Sequence, residues 1–309
     1  MLSKRSRVCG PIFFTRCNVG NRYIFSTSSN SSQCPDYFGI ARIFYTFDLQ
    51  YPLKLTHYRT SRKVSLRDQN WFKYAAPQRF YTLCGKLIPW FVASGVILTV
   101  IGLVIGLGVA PTDHQQGDSY RIIFIHVPAA WMSMLIYLVM AFWAAIGLIF
   151  NARLASMLAL SLAPTGAIMT FIALWTGALW GKPTWGTWWV WDARLTSELV
   201  LLFLYFGFLS LHASIEDTRK ADRSAALLAI VGVINVPIIY FSVKWWNTLH
   251  QGASVSLTKA PSMATQMLTG MLIMVFAFWM YSIAVALYRC RNQILERERH
   301  ADWVKEAIQ

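Results

Sequence analysis

Acidic residues are scarce in this chain: 14 Asp and Glu stand against 28 Lys and Arg in 309 positions, and none precedes Asp36. Cysteine is thin as well. Cys9, Cys17, Cys34, Cys84 and Cys290 form no C-x-x-C and no C-x-x-C-H, which excludes a thiol-disulfide relay and a c-type cytochrome. No Walker motif, nucleophile elbow or H-E-x-x-H is present, so the chain reads as a non-enzyme and any ATP hydrolysis falls to another subunit. Charge of either sign makes up 14% of the residues against 56% hydrophobic, a balance too apolar for a soluble domain of this length. These shortages leave a membrane protein.

What charge there is sits at the front. Residues 1–86 hold 14 Lys and Arg and three acids, while the remainder is close to neutral. A basic excess can mark a nucleic-acid binder, but this one lies in a leader and flank without a nucleic-acid fold, so no nucleic-acid partner is expected. Residues 1–34 carry Lys4, Arg5, Arg7, Arg16, Arg22 and a Ser-rich tract over Ser26–Ser32, the composition of a mitochondrial transit peptide. No apolar core of seven or more residues follows the basic start, which argues against a secretory signal; a plain disordered N-terminus is the alternative. Residues 35–80 read as a basic flexible or partly helical linker, and 291–309 as a charged tail.

Between them, over 81–290, six apolar runs approach the roughly 20 residues a helix needs to cross a bilayer: 87–109, 127–150, 155–179, 197–214, 225–243 and 267–288. The expected fold is all-α, a polytopic membrane helix bundle of six transmembrane helices. The first, third and fifth connections then share one side. Arg79, Lys86, Arg153, Arg219, Lys220, Arg223, Arg289 and Arg291 mark the opposite side, with both termini, as the matrix or cytoplasm by the positive-inside rule.

The third connection holds an unusual stretch, Trp180–Leu199, W-G-K-P-T-W-G-T-W-W-V-W-D-A-R-L-T-S-E-L. Tryptophans at a membrane surface commonly form an anchoring belt. Here Trp185, Trp188, Trp189 and Trp191, followed by Asp192 and Arg194, would instead make an apolar π-rich shelf with charge at one end if the segment is helical. Asp192 has three open readings: a helix cap, an ion pair with Arg194, or a contact to a partner. The topology also sorts the histidines. His57 and His300 lie in the flanks, His212 ends the fourth span where a helix C-terminus favours positive charge, and His114 lies in a polar loop. His126, in R-I-I-F-I-H-V-P-A-A-W, and His250, in K-W-W-N-T-L-H-Q-G, sit at one level at the outer mouths of spans, with Pro128 suited to begin one helix and Gly252 to end the other segment. Each imidazole can offer one nitrogen to a metal and its other N–H to an acceptor.

The segments Q-Q-G-D-S-Y-R-I-I-F-I-H-V-P-A-A-W, the Trp-rich stretch with the following V-L-L-F-L-Y, and N-V-P-I-I-Y-F-S-V-K-W-W-N-T-L-H-Q-G together resemble the CcmC family of cytochrome c maturation, over about residues 75–290. The middle segment is similar to the "WWD" signature shared with CcmF and CcsA; six spans and a single outer histidine on either side of the signature favour CcmC. The resemblance implies axial ligation of haem iron by His126 and His250, with the porphyrin held by the Trp185–Asp192 stretch. It also implies the haem chaperone CcmE as acceptor, with an ABC-type CcmA–CcmB complex and CcmD nearby.

On physical grounds, two imidazoles close both faces of a non-covalent haem b, which favours holding haem over binding O₂ on it. Trp185, Trp188, Trp189 and Trp191 would bury its rim, and Arg194 or Arg121 would meet its propionates. The expected function is haem binding on the outer face of the mitochondrial inner membrane and delivery to the acceptor. A haem transporter and a membrane haem redox subunit are the alternatives. Few buried ionisable groups beyond Glu198 speak against the first, and ligands at span ends rather than within spans speak against the second.

Overall fold

The computed structural model describes residues 74–250 and 263–308, together with the backbone of an antiparallel hairpin, β1 (Thr15–Val19) and β2 (Arg22–Ser26), within the segment expected as leader. Every other regular element among the described residues is helical. The helices are α1 (Pro77–Leu103, running on as a π-helical turn Val104–Val109), α2 (Ile123–Phe150, entered by a 3-10 turn Asp118–Ile122) and α3 (Arg153–Trp185). They are followed by α4 (Ala193–Ser214), α5 (Thr218–Gly232), α6 (Asn235–Trp245), α7 (Thr265–Arg297) and a short α8 (Asp302–Ile308).

Six helical stretches are long and apolar enough to cross a membrane: Pro77–Val109, Asp118–Phe150, Arg153–Trp185, Ala193–Ser214, Thr218–Trp245 and Thr265–Arg297. All six expected runs are there, and each is longer than its apolar stretch. Polar ends such as 118–122 and 180–185 continue the helices because propensity and capping, not hydropathy, decide where a helix stops. The connection expected at 151–154 shrinks accordingly to Asn151 and Ala152. Asn151 adopts φ 50°, a left-handed cap that Asn tolerates, and α3 begins two residues later. Pro128 differs from expectation in the same way: it lies in the second turn of α2, because the helix already starts at Ile123.

Small residues set the packing. Ala155, Ala159, Ala163 and Ala167 recur every fourth residue along α3 and are buried, a stripe of small residues of the kind that lets membrane helices approach closely. Where α4 crosses, Gly166 leaves room for the Tyr205 ring, which stands edge-on to Tyr137 at 5.1 Å. Tyr205 Oη donates to the Ser133 carbonyl at 2.8 Å, and the Ser133 hydroxyl donates to Glu198 Oε1 at 2.7 Å. A polar thread thus ties α2 to α4 through the core. α1 packs mainly along α7 and keeps an apolar outer face, with Trp90, Val96, Val100 and Val104 exposed as on a lipid-facing span.

At one end of the bundle, where α4 stops and α5 starts, Asp222 accepts from Nη1 and Nη2 of Arg297 at 2.7 and 2.8 Å and contacts His212 Nε2 at 2.9 Å. This cluster joins α4, α5 and α7. The starts of α2 and α4 and the ends of α3 and α6 meet at the opposite end.

Candidate functional site

Local capping builds that opposite end. α3 stops at Gly186, whose φ of 78° suits a residue without a side chain, and α4 restarts at Asp192, whose Oδ1 accepts from the Leu195 N–H at 2.8 Å. The five residues between, 187–191, are not helical, so the continuous helical shelf expected from the sequence does not form. Gly and the Asn/Asp class of caps break the helix where the tryptophans are densest. The cut divides the cluster: Trp180 and Trp185 stay on α3, while Trp188, Trp189 and Trp191 fall in the connection.

Trp180 and Trp185 line a cavity enclosing about 700 Å³ of space including its mouth, bounded also by His126, Gly177, Thr184, Arg194, Glu198 and His250. Each wall has a helical origin. Ala173, Gly177, Trp180 and Thr184 fall at i, i+4, i+7 and i+11 on one face of α3, and Arg194 and Glu198 lie one turn apart on α4. Gly177 lets α2 come close: a Cβ there would sit 3.1 Å from His126 Cε1, a tight contact.

The two imidazoles face one another across this space, with ring centroids 6.3 Å apart and planes tilted by 35°. An imidazole nitrogen lies about 2.0–2.1 Å from a bound metal, so two rings on opposite sides of one ion have centroids about 6 Å apart. The spacing therefore suits two axial ligands on a single metal. Trp180 stands edge-on to His126 at 5.6 Å, and Trp185 is tilted against His250 at 6.2 Å. His126 Nδ1 is 3.1 Å from Thr176 Oγ1 on α3. His250 lies five residues beyond α6 in a non-helical stretch, its N–H bonded to Thr248 Oγ1 at 2.8 Å; Gly252, expected to end this segment, is outside the described residues. Arg194, which lines the cavity, donates to the Ile239 carbonyl at 3.1 Å, so the cation is anchored on α6.

Of the residues singled out in the sequence, the fold brings His126, His250, Trp185 and Arg194 together. It places the others elsewhere. Trp188 and Trp191 are 54% and 76% exposed, and Trp189 is half-buried with its ring edge-on to Trp191 at 5.4 Å. Asp192 caps α4, which settles among its three readings on the first for Oδ1, while Oδ2 is buried, like Trp189 Nε1, without a hydrogen-bond partner among the described residues. Arg121 donates to Asp118 at 3.0 Å and to the Gly106 carbonyl at 2.7 Å, which turns it toward the end of α1. Sequence reasoning missed Trp180, Thr176, Gly177 and Thr184 as site residues. Their helical spacing was available once α3 is allowed to run on to Trp185, but the density of tryptophans drew attention past the break. His114 is exposed in its loop, beside the turn in which Asp113 accepts from the N–H groups of Gln115 and Gln116.

A six-helix membrane bundle with two histidines from separate segments set across one aromatic-lined cavity at its end defines the class. The chain belongs to the CcmC family, described as "Heme exporter protein C", whose model matches residues 70–305. It is 50% identical to the heme exporter protein C of Escherichia coli K12 over 234 residues, covering 76% of this chain and 94% of that one. The Haemophilus influenzae heme exporter protein C is 45% identical over 236 residues, 76% of this chain and 96% of its own. A ccmC-like mitochondrial protein of Marchantia polymorpha, named for cytochrome c biosynthesis, is 48% identical over 159 residues, 52% of this chain and 67% of its own.

Proposed function

We propose that this protein holds haem b non-covalently between His126 and His250 and passes it to the haem chaperone CcmE during the maturation of c-type cytochromes. The observation that carries the proposal is the 6.3 Å separation of the two imidazoles across an apolar cavity with one cation at its wall. Haem needs all three features. Its iron takes two axial nitrogens, its rim is buried by Trp180 and Trp185, and its propionates find a donor in Arg194. With both axial positions filled by histidine, the iron is held rather than opened to O₂. The printed names of the relatives support haem as the cargo, and the mitochondrial relative supports a mitochondrial address.

The protein acts in this reading as a carrier and not as an enzyme, beside the CcmA–CcmB complex and CcmD that the family resemblance implies. It spans the mitochondrial inner membrane over 81–290. The haem cavity lies on the outer, intermembrane-space face, with both termini in the matrix as the Lys and Arg distribution favours. Residues 1–34 serve as transit peptide, 35–80 as linker and 291–309 as the matrix-side tail.

The test is transfer. Haem-loaded protein in detergent is mixed with haem-free CcmE, the two are separated, and haem is measured on each. Haem should move to the chaperone faster than it moves to albumin at equal concentration. Retention of haem, or equal rates to both acceptors, would contradict delivery.

A further inference from the structure

A hydroxyl has one hydrogen to give and two lone pairs to receive. Thr176 Oγ1 lies 2.6 Å from the Ile172 carbonyl one turn earlier on α3, a short contact that uses its hydrogen, and 3.4 Å from the Ala173 carbonyl. The same oxygen is 3.1 Å from His126 Nδ1. With its hydrogen committed to the helix backbone, Thr176 can only accept from the histidine, so Nδ1 must carry a proton. The Cε1–Nδ1 edge of the ring is the one packed against α3, as its approach to Gly177 shows.

We propose that Thr176 is a positioning residue that fixes His126 in its Nδ1–H tautomer and leaves the Nε2 lone pair for a metal. The inference rests on the reading of the cavity as a haem site, because only a ligand on Nε2 gives the tautomer a use. A ligating histidine whose other N–H is hydrogen-bonded is oriented in advance and is a stronger electron donor to its metal. Because Thr176 lies in the middle of α3 and His126 in the first turns of α2, the most closely packed helix pair, this ligand is set by the fold before any haem arrives. Thr176→Val keeps the β-branch and nearly the volume and removes the hydroxyl, both the acceptor for His126 and the donor to the Ile172 carbonyl, while Thr176→Ser keeps both.

Two measurements judge it separately from the haem reading. In haem-free protein labelled with ¹⁵N-histidine, the His126 shifts should show Nδ1 protonated and Nε2 bare; in Thr176→Val the two tautomers should mix, and Thr176→Ser should restore the single form. A wild-type His126 protonated on Nε2, or a tautomer that Thr176→Val leaves unchanged, overturns the proposal. In haem-loaded protein, Thr176→Val should raise the iron midpoint potential and weaken haem binding about 10- to 100-fold, the usual cost of losing such an outer partner. Thr176→Ser should behave as wild type in both. An unchanged potential and affinity in Thr176→Val would equally overturn it. Failure of the wild-type protein to take up haem, with the tautomer as stated, would instead strike the proposed function alone.

Discussion

The bundle carries a histidine cluster at each end, and the two are built on opposite terms. At one end His212 meets Asp222, whose two carboxylate oxygens accept from Nη1 and Nη2 of Arg297, so the carboxylate finds its partners inside the protein. At the other end, about 27 Å away along α4 at 1.5 Å per residue from Arg194 to His212, His126 and His250 face a cavity walled by tryptophan and glycine. The first cluster is complete; the second leaves room between its imidazoles. A histidine beside charges at a helix end is a fastener. A histidine braced from behind by a hydroxyl, with an apolar gap in front, is what the proposed haem ligation needs.

The largest effects should separate these ends. His126→Ala and His250→Ala should each abolish the two-histidine spectrum of the haem-loaded protein while lowering its thermal stability less than loss of the Asp222 charge does. Asp222→Asn should do the reverse. Removing one charge of a largely buried pair costs on the order of 3 kcal/mol, so unfolding should come at lower temperature with the haem spectrum of the folded fraction unchanged. His114→Ala, in its exposed loop, should change neither. Loss of haem from folded Asp222→Asn protein would mean that the two ends are coupled through α4, and the contrast would fail.

A smaller effect sharpens the boundary of the cavity. Trp185→Leu should weaken haem binding roughly two- to tenfold, since aromatic contacts are worth about 0.5–1.5 kcal/mol beyond area. Trp188 and Trp191 replaced together by Phe should leave haem affinity within about twofold, because both are exposed, neither lines the cavity, and Phe keeps most of their apolar area. Haem titration of the two variants at matched expression checks both. A greater loss from the double variant than from Trp185→Leu would restore the non-helical connection to the porphyrin site.

The spans were legible because hydropathy over 20 residues is a strong signal that packing does not override, and the two outer histidines were legible because the apolar runs order them by depth. The aromatic wall was only half legible. Its tryptophans are crowded into one stretch of sequence, but Gly186 and Asp192 break that stretch in space, and only Trp185 of the four expected rings reaches the cavity. Helix ends are where sequence pattern informs least, since a single capping residue shifts every side chain beyond it. Arg121 shows the same limit: its pairing with Asp118 and Gly106 depends on where the π-helical end of α1 lies, which no periodicity announces. Thr176 was invisible for another reason, since a threonine facing inward from a membrane helix has no meaning until its neighbour is known to be a histidine.

The most direct measurement is the absorption and electron paramagnetic resonance spectrum of the purified wild-type protein titrated with hemin in detergent. One equivalent should bind and give a low-spin ferric signal from two histidine nitrogens, lost on replacing either His126 or His250. A high-spin signal with one axial histidine, or no saturable uptake of haem, would contradict the account.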